Sequence, residues 1–230
     1  PLAGFGNATQ RMSQNVLDPQ LATCIAITDE NENTVLMMSY DQQRASDITV
    51  EAVRPMISQA TGVPQDHIML AGTHTHSGPD LTVSSNEAIA RYIPYLNEQL
   101  VKAAVAAMED RTPVTDMEAG SIETEAMNFV RHYLMNDGTY CGDNFGSTAS
   151  GYKEHASKAD GQLQLIKFTR EGDNDVYIAN FQTHPHQTGG GKKYDLSADI
   201  VGEFRANMEK DLGCEIAYFT GAGGNINSHS

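Results

Sequence analysis

Positive charge is scarce in this sequence: 15 lysine and arginine residues stand against 30 aspartate and glutamate, for a formal charge of -15 over 230 residues. That balance opposes nonspecific binding to nucleic acid or to an anionic membrane surface. It also disfavours a strongly anionic substrate unless a metal or a local basic pocket intervenes. Long apolar runs are missing, so no segment reads as a membrane span, and no charged stretch followed by an apolar one opens the chain. Cysteine is reduced to Cys24, Cys141 and Cys214, an odd and widely spaced set that argues against a disulfide framework. Each reads as a small core hydrophobe. Free thiols favour a reducing, cytoplasmic compartment; secretion after removal of a signal peptide is the alternative for a chain that starts at Pro1. The glycine-rich stretch from Gly221 to Ser228 lacks the lysine of a phosphate loop, which argues against a nucleotide site.

What the sequence does have is histidine in a repeated setting. Four of its eight histidines sit in Thr73-His74-Thr75-His76 and Thr183-His184-Pro185-His186. Each tetrapeptide follows an apolar run with strand character, Ile68 to Ala71 and Val176 to Phe181. Residues two apart in extended backbone point to one side, so His74 and His76 can face one cavity, as can His184 and His186 if Pro185 keeps the chain extended. Four imidazoles from two strand ends would converge. Neutral imidazole is the commonest protein ligand for zinc and suits other borderline metals, so the expectation is a mononuclear or dinuclear metal site.

The length suits one well-buried domain. Leu21 to Thr28 and Thr34 to Ser39 read as a hairpin around the polar turn at residues 29–33. Asp47 or Thr49 would cap a helix to Thr61 with Gly62 as its stop, and Pro55 inside it allows a break or a late start. The clearest helix runs from about Asn86 to Met108, with Ile89, Ile93, Leu96, Leu100, Val101 and Val105 on its apolar stripe. Val114 to Leu134 has strand character, whereas residues 136–162, with five glycines, form a long loop that reads as a flap or a disordered segment. Leu163 to Thr169 and Val176 to Phe181 make a second hairpin. After a flexible loop at Thr188-Gly189-Gly190-Gly191, Ser197 would cap a helix to Leu212 with Gly213 as its stop, and Cys214 to Thr220 reads as a strand.

Several of these strings occur together in a known order. Gly4-Phe5-Gly6, Asp18 to Thr23, Thr73 to Pro79, Asn128 to Arg131, Thr183-His184-Pro185 and Gly223 to Asn227 follow one another as do motifs of the neutral, non-lysosomal ceramidases, which this chain resembles along its whole length. Thr-His-Thr-His-Ser-Gly-Pro is the most specific of them. The resemblance implies an α/β fold of mixed β-sheet layers flanked by helices, with zinc at the carboxyl ends of strands. It implies zinc bound by His74 and His184, His76 at the developing oxyanion, and Arg131 lining the site. A glutamate and a tyrosine that complete the family's zinc shell would lie beyond residue 230, so residues 1–230 would form a single ceramidase-like catalytic domain truncated at its C-terminal end. One departure bears on chemistry. Where the family carries a serine in Gly-Asp-Val-Ser-Pro-Asn, this chain has Gly224-Asn225-Ile226-Asn227-Ser228-His229, which puts Asn227 at the serine unless the register slips to Ser228. Asparagine cannot be a nucleophile, but its amide can orient water or donate to an oxyanion.

The resulting expectation is a zinc-dependent hydrolase of an amide-type N-acyl bond, in a small-molecule or lipid substrate such as sphingolipid metabolism supplies. Zinc would polarise the carbonyl and acidify water, while His76 and Arg131 stabilise negative charge. His186 is a proton-shuttle or outer-sphere candidate, or a plain surface histidine, and Asp195 or Asp199 would orient a ligand histidine. Two other classes compete. A ligand-binding or sensing module without turnover is favoured by Asn227; a dinuclear phosphoesterase using all four histidines is opposed by the absence of an Asp-x-His or Gly-Asp-x-x string. Substrate identity and oligomeric state are left open.

Overall fold

The computed structural model describes residues 1–5, 11–142, 151–189 and 194–228. In chain order the strands are β1 (Asn15–Val16), β2 (Ala22–Thr28), β3 (Thr34–Tyr40), β4 (Ile68–Gly72), β5 (Val114–Glu123), β6 (Asn128–Val130), β7 (His132–Met135), β8 (Tyr140–Gly142), β9 (Tyr152–His155), β10 (Gln162–Arg170), β11 (Val176–Phe181), β12 (Asp195–Leu196), β13 (Glu215–Thr220) and β14 (Ile226–Ser228). The long helices are α1 (Asp47–Thr61), α2 (Glu87–Glu109) and α3 (Ile200–Leu212).

Alternation along the strands dictates the layering. In the sheet β2-β3-β4, Leu36, Met38 and Tyr40 turn to α1 and α2 and meet Val53, Ile57, Leu96 and Leu100. Leu36, Ile57 and Leu100 are fully buried, and each such side chain contributes about 1.5–3 kcal/mol. The opposite face, with Ile25, Ile27, Met37 and Ala71, packs on Ile166, Ile178, Ala217 and Phe219 of the sheet β13-β11-β10-β5. The far side of that second sheet presents Ala179, Ile216 and Tyr218 to Val201, Phe204 and Met208 of α3. The order is helix, sheet, sheet, helix: an α/β fold of mixed sheets flanked by helices, as expected.

Two parallel pairs matter for function. β3 pairs with β4 in parallel across the α1 crossover, and β11 pairs with β13 in parallel across α3. Each histidine motif leaves the carboxyl end of one of these strands, beside the loop that leaves its parallel neighbour. The hairpins β2/β3 and β10/β11 form as the turn chemistry predicts.

Other expectations are corrected. Helix α1 is capped by Ser46, whose hydroxyl accepts from Thr49 N–H, and runs unbroken through Pro55 to Gly62 at φ 76°. Helix α3 starts at Ile200, not beside Ser197, because the Asp199 carboxylate takes the Ile200 N–H, while Ser197 Oγ donates to Asp18. Residues 114–135 break into β5, β6 and β7, and part of the expected loop at 136–162 is strand, since β8 and β9 flank β7 in a small sheet. Residues 143–150 of that stretch, Gly190 and Gly191 of the later loop, and Gly6 lie outside the described residues. Among the described residues no helix is long and apolar enough to cross a membrane.

A buried ion pair fastens α3 to the end of β3. Both Arg205 and Asp41 are 2% exposed; Arg205 Nη1 reaches Asp41 Oδ1 at 3.1 Å, and the same carboxylate accepts from Leu21 N–H at 2.8 Å and Thr73 Oγ1 at 3.1 Å. Removing one partner strands the other charge in the interior. Arg205→Met is therefore expected to lower the unfolding free energy by about 3–5 kcal/mol, read as a shifted denaturant midpoint, and Asp41→Leu added to it should recover part of that loss.

Candidate metal centre

The first motif alternates buried hydroxyls with imidazoles. Thr73, Thr75 and Ser77 have zero exposure, and their hydroxyls hold the loop: Thr73 to Asp41, Thr75 Oγ1 to Ser197 O at 2.9 Å, and Ser77 to Thr188 Oγ1 at 2.6 Å. The intervening His74 and His76 are half-buried. This alternation is not strand pleating. The chain leaves strand geometry at Gly72, and His74 sits at φ 70° in the left-handed region. The extended backbone expected at this motif is thus overturned, yet the imidazoles still converge.

They converge because the loops are tied to one another. His74 N–H donates to Gln42 O at 3.0 Å, His76 N–H to Pro185 O at 2.9 Å, and Thr220 Oγ1 to Thr73 O at 2.6 Å. The ring centroids of His74 and His76 lie 5.1 Å apart, and each lies 4.5 Å from that of His184. One ligand atom from each of the three falls within 4.8 Å of the others, a grouping that can hold a metal ion. It contains no carboxylate and no thiol.

Hydrogen bonds fix which nitrogen each ring presents. His74 Nδ1 lies 2.6 Å from Gln43 O, and His184 Nδ1 lies 3.1 Å from Gly223 O. A carbonyl only accepts, so both Nδ1 atoms carry the proton and both Nε2 atoms hold lone pairs. An outer-sphere carbonyl that sets the tautomer is how metal-binding histidines are usually oriented. His76 Nε2 lies 2.8 Å from His184 Nε2, and with the lone pair on His184 the proton belongs to His76. The donor chemistry fits a borderline divalent metal such as zinc, with two oriented lone pairs and a third imidazole beside them.

Electrostatics disfavours the charged forms of His76 and His184. His76 is pushed down to about 2 from the usual 6.5 by burial first, then by His184, His74, His186 and Arg131. His184 falls to about 4, again by burial first and then by His74, Arg131 and His186, against the Gly223 carbonyl that favours its charged form.

The remaining expected site residues divide. Arg131 lies in the link between β6 and β7, with its guanidinium donating to Gly224 O at 2.7 Å and its N–H to Asn225 O at 2.8 Å. It is thereby fastened to the loop that holds His184. Asn227 lies in β14 opposite Phe129, is 1% exposed, and its Oδ1 has no hydrogen-bond donor among the described residues. Ser228 instead bonds to the Gln187 side chain. His186 lies outside the three-imidazole group, with its ring 5.2 Å from His184 and 6.1 Å from Phe5. The expectation that Asp195 or Asp199 orients a histidine fails: Asp195 accepts from Asn15, and Asp199 takes Gln187 N–H, Thr188 N–H and Ile200 N–H. Backbone carbonyls do that work, and sequence carries little sign of them. Gly223 is the exception, since a Cβ there would lie 2.6 Å from Thr183 O. A cavity of about 1130 Å³ lies elsewhere, between β2, α2 and β13, and no histidine lines it.

Comparison with known proteins bears on the fold. No family model and no curated protein matches the sequence. Among solved structures, the neutral ceramidase from Pseudomonas aeruginosa superposes with a TM-score of 0.77 at 18% identity over 99% of this chain, and a ceramidase complexed with C2 does so at 0.76 and 18% over 98%. This chain spans 36% of the length of each. The likeness establishes a ceramidase-like fold.

The depressed histidines give a pH signature. As pH falls below 6.5 an unfolded histidine takes up a proton that His184 refuses until about 4. The unfolded state thus binds more protons across that window, and stability, greatest above 6.5, is lost as pH falls through it. In chelator, the thermal midpoint should decline from pH 7 to pH 4, and His184→Gln should flatten the decline relative to the parent; equal slopes would contradict the buried neutral imidazole.

Proposed function

We propose that this chain is a metal-dependent hydrolase that cleaves an amide-type N-acyl bond in a small-molecule or lipid substrate. The observation that carries the reading is the pair of imidazoles, His74 and His184, whose Nδ1 protons go to backbone carbonyls and turn both Nε2 lone pairs toward one space beside His76, that of His184 accepting from His76 in the metal-free protein. The fold shared with ceramidases supports the amide class. A bound zinc ion polarises a carbonyl and lowers the pKa of water.

Within this reading His74 and His184 hold the ion. His76, with its proton on Nε2, donates to the oxygen on which negative charge develops. Arg131 adds positive potential from the Gly224 loop. In the register that puts Asn227, and not Ser228, at the family's serine, the amide orients or donates and makes no covalent bond to the substrate. That last point also favours a second reading, a ligand-binding module that keeps the fold and the metal without turnover.

Elemental analysis of the purified full-length protein should find about one zinc per chain, lost in His74→Ala and in His184→Ala while both stay folded. Turnover on a panel of N-acyl amides should need zinc and drop by at least about 100-fold in His76→Ala, in the range seen when an oxyanion donor is removed. Bound zinc without turnover of any amide would select the binding module; no bound zinc would sink the hydrolase.

A further inference from the structure

The residues at the start of the chain form an arm along Gly78–Asp80. Ala3 N–H donates to Gly78 O at 2.8 Å, Asp80 N–H to Pro1 O at 3.0 Å, and Leu2 N–H to Arg11 O at 2.7 Å. Leu2 and Ala3 are each 1% exposed. The arm brings Gly4 and Phe5 to the imidazole of His76, sets Phe5 beside the His186 ring as well, and seats Arg11 over Phe5 and against the His76 carbonyl.

Gly4 lies against the ring edge. A Cβ built on it would sit 2.3 Å from His76 Cγ and 2.5 Å from Nδ1. Phe5 meets the same ring nearly at right angles, with 5.3 Å between centroids. The Arg11 guanidinium lies 4.8 Å over the Phe5 ring, donates to Ala3 O, and reaches His76 O at 3.4 Å. Arg11 is itself 5% exposed, so this contact is part of the interior.

The packing accounts for a difference among the three imidazoles. His74 and His184 each give their Nδ1 proton to a carbonyl, whereas His76 Nδ1 is buried with no partner among the described residues. A proton placed on that atom would be buried without an acceptor, which is unfavourable. It would also leave two Nε2 lone pairs facing each other at 2.8 Å. Both effects put the proton on Nε2, but only while the ring stays pressed against Gly4.

We propose that Gly4, Phe5 and Arg11 are positioning residues that lock His76 in its Nε2–H tautomer by packing, where the other two imidazoles are locked by carbonyl hydrogen bonds. The function served rests on His76 acting as the oxyanion donor, but the lock itself is read on metal-free protein, so the two ideas fail separately.

The test is nitrogen NMR of histidine-labelled, metal-free full-length protein at neutral pH. His76, identified by its absence in His76→Gln, should show an unprotonated Nδ1 and a protonated Nε2. Phe5→Ala and Gly4→Ala should replace this with signals averaged between the two tautomers, and Phe5→Tyr, which keeps the ring, should retain the single tautomer. Phe5→Leu keeps the apolar bulk if the alanine variant does not fold, and it too should lose the single tautomer. A folded Phe5→Leu with the parent's pattern, or an Nδ1 proton in the parent, overturns the proposal. Zinc content measured on the same samples separates the outcomes: tautomer loss with no zinc in the parent keeps the lock and sinks the hydrolase, and bound zinc with an unmoved tautomer does the reverse.

Discussion

Parallel strand pairing is the constraint from which the candidate centre follows. When β3 runs beside β4 and β11 beside β13, the loops that leave neighbouring strands emerge side by side at the carboxyl end. In each pair one loop carries the histidine and the other supplies the carbonyl that fixes it: Gln43, after β3, serves His74, after β4, and Gly223, after β13, serves His184, after β11. Open α/β sheets place ligands at the carboxyl ends of strands for this geometric reason. Here the two sheets lie face to face, and the bond from Thr220 to Thr73 O joins the end of β13 to the start of the first histidine loop. Orientation of both rings is therefore a property of the backbone.

Using carbonyls instead of carboxylates has an electrostatic consequence. The three-imidazole group contains no acid, and the cation Arg131 is near enough to disfavour the charged forms of His76 and His184. A site built from neutral rings beside a guanidinium favours negative charge arriving on a bound group and repels protons. A second-sphere aspartate would do the opposite, raising ligand basicity and drawing the imidazole toward its charged form. The chain as a whole carries a charge of -15, so this neutrality is local and is made by burial.

Legibility from sequence followed the range of the interactions. Elements whose cause is local were readable: the β2/β3 hairpin around residues 29–33, helix α2 with its apolar stripe, the Gly62 and Gly213 helix stops. That His74, His76 and His184 meet was readable too, because a repeated motif after two apolar runs marks two strand ends, although the same pattern put His186 with them and it lies outside the group. What failed depended on contacts distant in sequence. Ser197 looks like a cap, but Asp18, 179 residues away, claims its hydroxyl. Asp199 looks like a partner for histidine, yet it is spent on the backbone of Gln187 and Thr188. Thr-His-Thr-His reads as pleated strand, whereas buried hydroxyls set its period and His74 takes a left-handed conformation that a pattern of residue types cannot reveal.

That left-handed residue explains why the two halves of the fold depend on one another. A non-glycine residue at φ 70° costs on the order of 1–3 kcal/mol and persists only where its surroundings hold it. His74 is held by two bonds to one short loop, N–H to Gln42 O and Nδ1 to Gln43 O. That loop begins at Asp41, and Asp41 is pinned by Arg205 of α3. Helix α3 is the crossover of the other parallel pair, the one that begins at the strand delivering His184. The helix that follows one histidine thus secures the loop that strains the other, and neither parallel unit alone would hold the centre in place.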